Sequence, residues 1–202
     1  MKYQVIAEKG SYTFADYFKL NFDAEDILNY FGYSFQIANY TLPHTSIELD
    51  RLADLRTRLE EVLPYVSLTS ETARREFLIA PILLEVVHYT HAKIKVEYPL
   101  QVDHQLQGTL DYFLQAQNNL LVIEAKNADL QKGFTQLAVE LVALDRWLEP
   151  KPELLYGAVS MGNIWQFGIL DRELKQVTQD YNLYPVPADL ENLLRILVAI
   201  LS

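Results

Sequence analysis

Three ionisable side chains could do chemistry together if the fold brought them to one place: Asp111, Glu124 and Lys126. Glu124 and Lys126 are two residues apart, so in a strand they project from the same face. Two carboxylates and a lysine at the rim of an apolar sheet are costly to desolvate unless a cation or a partner joins them. Oxygen donors of this kind suit Mg²⁺, which binds through one or two carboxylates and keeps several waters. A lysine beside such a group could orient a water or help to deprotonate it. The same three residues also admit a purely structural reading as a buried ion-pair cluster. Such clusters are seldom net stabilising, because desolvation opposes the attraction.

The stretch from Leu106 to Leu137 must position these groups, and it reads as strand, turn, strand and helix. Leu110, Tyr112 and Leu114 alternate with Thr109, Asp111 and Phe113, an imperfect period of two. Asn118-Asn119 signals a turn. Leu120-Leu121-Val122-Ile123 is a continuous apolar run, as expected of a strand buried on both faces, and it breaks into Glu124-Ala125-Lys126. Asp129 is placed to cap a helix in which Leu130, Phe134, Leu137, Leu141 and Leu144 recur at helical spacing.

This arrangement resembles the PD-(D/E)XK nuclease superfamily. Gly108-Thr109-Leu110-Asp111 matches its acidic strand, with Leu110 where the family has proline, and Glu124-Ala125-Lys126 matches its (D/E)XK element. Gln136 falls on the following helix, where many members carry a glutamine. Glu71-x-x-x-Arg75, followed by Phe77 to Leu84, resembles the first helix of these domains, that of the nuclease domain of type I restriction enzyme motor subunits above all. The resemblance covers about residues 69–170. It implies a restriction-endonuclease-like αβββαβ core, an α/β (α+β) fold with a mixed central sheet flanked by helices. It implies Mg²⁺ or Mn²⁺ held by Asp111, Glu124 and the Ala125 carbonyl, with Glu71 as a third carboxylate and Glu76 and Glu85 as substitutes for it. Lys126 would then position the attacking water, and Gln136 would orient Lys126 or touch phosphate. The expected substrate is nucleic acid, DNA first. The tripeptide recurs as Glu149-Pro150-Lys151 and Glu173-Leu174-Lys175, but neither copy closes an apolar strand beside a strand bearing an aspartate.

Composition bounds these readings. The 202 residues suit one compact domain, read as an aromatic-rich extension over 1–66 packed on a core over 67–202. There is no cysteine, so disulfides and thiolate metal sites are excluded. No secretory signal opens the chain, and the last apolar stretch is too short to span a bilayer, so the cytoplasm is the expected location. The net charge of −10 opposes binding nucleic acid by bulk electrostatics. Residues 51–95 soften that, with seven basic and six acidic groups. The acidic charge, the aromatic N-terminal region and an apolar C-terminal helix favour an alternative: a catalytically weak or inactive nuclease-fold module that binds a protein or forms a homodimer.

Further elements follow from pattern. An early strand, a helix near Asp23–Phe31 and a strand near Tyr33–Leu42 are expected, with the aromatics there serving as core or as base-stacking surfaces. Thr45-Ser46-Ile47-Glu48 reads as a capping box for a helix ending before Pro64. Arg51 and Arg58 share a face of that helix, as a solvated surface or as phosphate contacts. Ser67 or Thr69 should cap the next helix, which Pro81 should kink or split. His88 and His91 suit a helix end better than a metal site. Strands are expected near 93–102, 154–160, 164–170 and 175–181, and a buried last helix from Asp189 to Leu201.

Overall fold

A computed structural model of the chain describes residues 5–7, 9–116, 119–126, 128–148 and 152–202. The turn at Asn118 and the Glu149-Pro150-Lys151 tripeptide lie outside the described residues. The elements are α1 (Phe14–Lys19), α2 (Ala24–Phe31), β1 (Ser34–Ala38), α3 (Leu52–Val62), α4 (Glu71–Arg74), α5 (Ala80–Thr90), β2 (Lys93–Gln101), β3 (Gln107–Gln115), β4 (Leu120–Ala125), α6 (Leu130–Trp147), β5 (Leu154–Ser160), β6 (Ile164–Asp171), β7 (Gln176–Asp180), β8 (Tyr184–Pro185) and α7 (Leu190–Ile200).

The strands form one mixed sheet in the order β1-β7-β6-β5-β4-β3-β2, with β8 pairing on β6. β2, β3 and β4 make an antiparallel meander, and β5 runs parallel to β4 after α6. Every residue of β4 is buried, which accounts for its unbroken apolar run. One face of the sheet carries α1, α2 and α6, and the other carries α3, α5 and α7. The chain is thus an α/β protein built in three layers. No helix among the described residues is long and apolar enough to cross a membrane.

α6 is the helix that matters most for position. Its buried residues run without a break from Gly133 to Asp145. It approaches the sheet closely because Gly157 and Gly168 lie beneath Leu137 and Phe134, where a Cβ would come within 2.7 and 2.9 Å of those side chains. At its far end Asp145 accepts from Arg172 Nε at 2.5 Å and from the Tyr33 hydroxyl at 2.6 Å.

Several local expectations are corrected. Apart from a single bridge from Thr13 to Gln107, residues 5–13 contain no strand where they are described, and Phe14–Lys19 is helical. The Thr45–Glu48 box opens no helix, since α3 begins at Leu52. Thr45 Oγ1 instead accepts from Ile47 N at 3.3 Å, the local turn that competes with capping. The next helix is capped by Ser70, whose Oγ accepts from Ala73 N at 3.1 Å, and not by Ser67 or Thr69. The helix is split before Pro81, as expected: α4 ends at Arg74 and α5 opens at Ala80, with Pro81 in its first turn. A π turn over Arg75–Ile79 precedes it, with Ala80 N–H reaching back five residues to the Arg75 carbonyl. Phe14, Tyr17, Phe31 and Tyr33 are core residues, and the apolar face of α7 is buried in this chain's own core.

The Arg172–Asp145 pair is buried on both sides, so removing one partner strands a charge. Arg172→Ala should lower the unfolding free energy by about 3–5 kcal/mol. Urea titration of the two proteins measures it, and a loss within experimental error would show that the pair does not anchor α6.

Candidate active site

The site forms where β3 and β4 part. Their ladder runs from Gln115↔Leu120 to Tyr112↔Ile123 and then stops. Beyond it, Asp111 Oδ2 accepts from the backbone N–H of Ala125 at 2.8 Å. A side-chain carboxylate thus takes the place of a ladder acceptor and fastens itself between Glu124 and Lys126. On the other side of β3, Glu97 of β2 stands opposite Asp111, between the pairs Val96↔Tyr112 and Tyr98↔Leu110. Glu97 has a left-handed backbone, φ 52°. The irregularity shows in the sequence: Leu110 and Phe113, three apart, pack in the same layer, so the alternation slips at Asp111.

Glu124 is buried on the α6 side of the sheet. Its Oε1 accepts from Lys126 Nζ and from Gln136 Nε2, the latter at 2.6 Å. Its Oε2 is buried and has no hydrogen-bond partner among the described residues. Burial pushes the Glu124 carboxyl well above its ordinary range, Asp111 adds to the rise, and Lys126 opposes it. Lys126 is held from three directions. Its backbone N–H donates to the Ser160 carbonyl at 2.8 Å, its ammonium lies 5.3 Å from the centre of the Phe18 ring, and its stem rests on Gly133 of α6. A Cβ at Gly133 would come within 3.0 Å of Lys126 Cγ, so only glycine lets α6 pass this close beneath the lysine. Burial pulls the Lys126 ammonium down, but Glu124, Asp111 and Glu71 outweigh it and the net shift is upward.

Gln136 is buried on the second turn of α6, and its amide nitrogen bridges Glu124 and Glu140, at 3.0 Å from Glu140 Oε1. Sequence reading passed over Glu140. A glutamate four residues beyond Gln136, inside the apolar run Leu137 to Leu144, was the available signal. Its carboxyl is fully buried and held far above the ordinary range, by burial first and Glu124 second.

Glu71 opens α4 at the edge of the site. Burial raises its pKa, Lys126 and Arg75 pull it down, and Asp111 pushes it up, so it shares the electrostatics of all three. No hydrogen bond or ion pair joins its carboxylate to Asp111 or Glu124. Among the described residues no group of three His, Cys, Asp or Glu side chains is gathered closely enough to hold a metal unaided. The substitutes are elsewhere: Glu76 is exposed, and the buried Glu85 accepts from Arg58 Nη2 at 2.7 Å. Arg58 therefore belongs to the scaffold. His91 terminates α5 with φ 54°, a helix-end role. Lys95 lies over the Tyr98 ring at 4.2 Å from its centre. Glu173-Leu174-Lys175 is an exposed turn between β6 and β7.

Glu124 and Glu140 hold protons more tightly in the folded chain than in the unfolded one. Their contribution to stability is complete below the ordinary value of about 4.5 and is lost as pH rises through their folded values. Glu140→Gln keeps an acceptor for Gln136 and removes the charge. In EDTA it should match wild type near pH 4 and exceed it at neutral pH by about 1–3 kcal/mol. Thermal unfolding across that range measures the difference, and a constant offset would show that Glu140 does not titrate there. Comparison of the chain with protein families, with curated proteins and with solved structures returned no match.

Proposed function

We propose that the protein is a metal-dependent phosphodiesterase acting on nucleic acid, DNA first, with a PD-(D/E)XK site on a restriction-endonuclease-like core. The observation that carries this is the bond from Ala125 N–H to Asp111 Oδ2, which joins the acidic strand to the middle of Glu124-Ala125-Lys126. The element order supports it: a helical segment over 71–90, the β2-β3-β4 meander, α6, and β5 parallel to β4.

The donor set fits Mg²⁺ or Mn²⁺. Asp111, Glu124 and Glu71 would supply hard oxygen ligands, the Ala125 carbonyl would be a further one, and the buried Glu124 Oε2 is an acceptor without a hydrogen-bond donor among the described residues. When bound, the metal supplies Lewis-acid stabilisation of phosphoryl oxygens and lowers the pKa of water. The chain's own residues do the rest. Gln136 and Lys126 hold Glu124 by one oxygen and so present the other. The Lys126 ammonium stays charged, orients the attacking water and offsets charge on the scissile phosphate.

The net charge of −10 favours the alternative, a binding module with little catalysis. Of the surfaces that suggested a protein partner or homodimer, Phe14, Tyr17, Phe31, Tyr33 and the apolar face of α7 are buried, whereas Phe22 and Tyr30 are exposed.

The test is cleavage of single-stranded, duplex and branched DNA and of RNA in Mg²⁺, Mn²⁺ or EDTA. Cleavage should require metal, and Lys126→Ala and Asp111→Asn should each reduce it on the order of 10²–10³-fold while the protein stays folded. Either variant cleaving at the wild-type rate would refute the site. Folded wild-type protein that cleaves nothing would overturn the hydrolytic reading and favour the binding module instead.

A further inference from the structure

Arg75 has no role in the chemistry above, yet it stands beside it. Its Nη1 lies 3.3 Å from Glu97 Oε1 and 3.7 Å from Asp111 Oδ1. Its guanidinium carbon lies 5.2 Å from the centre of the Tyr112 ring. The side chain is only 17% exposed, so it is held at the site and does not sweep through solvent. Both carboxylate contacts are long and both use the same nitrogen. Neither is the paired, fork-to-fork geometry that a guanidinium makes with a well-matched oxyanion.

Glu97 is the odd partner. Its side chain is 68% exposed, and its backbone adopts φ 52°, a conformation that L side chains rarely take. An exposed ion pair contributes little to folding. Glu97 nevertheless holds a strained backbone within a strand, directly opposite Asp111, and its carboxylate rests on Arg75. Strain of this kind clusters at ligand clamps and switches. A carboxylate and a phosphodiester offer a guanidinium similar oxygens, and Arg75 stands within ion-pair distance of Asp111 at the edge of the site.

We propose that Arg75 is a phosphate contact for the nucleic acid and that Glu97 is its internal competitor, displaced from the guanidinium when the backbone phosphate binds. The proposal rests on the nucleic-acid reading of the same site and adds a recognition residue and a built-in brake to it.

Binding is measured by fluorescence anisotropy in EDTA, with a labelled single strand and the matching duplex, so that cleavage does not enter. Glu97→Gln should tighten binding by roughly two- to fivefold, the worth of an exposed ion pair. Arg75→Gln should weaken binding, and in that background Glu97→Gln should give no gain. Glu76→Gln removes an exposed charge from the same helical segment and should leave binding near wild type. An unchanged Glu97→Gln protein, a gain equal to that of Glu76→Gln, a gain that survives Arg75→Gln, or no binding by any variant would each overturn the proposal. Cleavage read through Lys126→Ala tests hydrolysis separately. Binding that follows Arg75 and Glu97 without cleavage would sustain the Arg75 contact and discard the hydrolytic reading.

Discussion

The structure around this site depends on one costly act: the burial of Glu124 at the end of the central strand. β4 lies between β3 and β5 with helices over both faces, and its last residues carry a carboxylate where water is excluded. A lone carboxylate there would be strongly disfavoured. Lys126 and Gln136 each donate to one oxygen of it, and Asp111 is drawn to the adjacent backbone amide. The arrangement leaves Glu124 Oε2 and Glu140 Oε2 without partners among the described residues.

That constraint reaches outward through α6. The helix delivers Gln136 and Glu140 to Glu124, and Gly133 to the underside of Lys126. Its position is fixed at three levels. Asp129 caps its start, accepting from Lys132 N at 3.0 Å, Gly157 and Gly168 allow close contact along its length, and Arg172 and Tyr33 grip Asp145 near its end. Tyr33 comes from the N-terminal region, and β1 extends the same sheet through β7. Residues far from the site in sequence therefore set the angle at which α6 presents its polar side chains. Rigid support of this kind is what a preorganised site needs.

Stability is given up around the site in two forms. Buried acids sit with unsatisfied oxygens on the α6 side, and Glu97 holds a left-handed backbone on the other. Both features surround Asp111. The π turn at Arg75–Ile79 adds a third irregularity, at the point where Arg75 meets the sheet. Regular packing resumes within a strand or a turn of each, so the departures are local and concentrated where charge accumulates.

The sequence by itself determined the sheet's central strands, the long helix after Asp129 and the pairing of an acidic strand with Glu124-Ala125-Lys126. Those signals are local: an unbroken apolar run, a capping residue and helical spacing arise within a few residues of one another. It did not determine the Thr45–Glu48 segment, because the same side chains that cap a helix also close a turn. It marked Glu140 only by its place inside an apolar run, which signals burial but not the partner it meets. Tertiary structure alone decided that Glu140 meets Gln136, that Glu71 shares the field of Asp111 and Lys126, and that Glu97 and Arg75 stand against Asp111. Those contacts join residues on separate elements, and their distances are set by how helices seat on the sheet, which no spacing along the chain encodes.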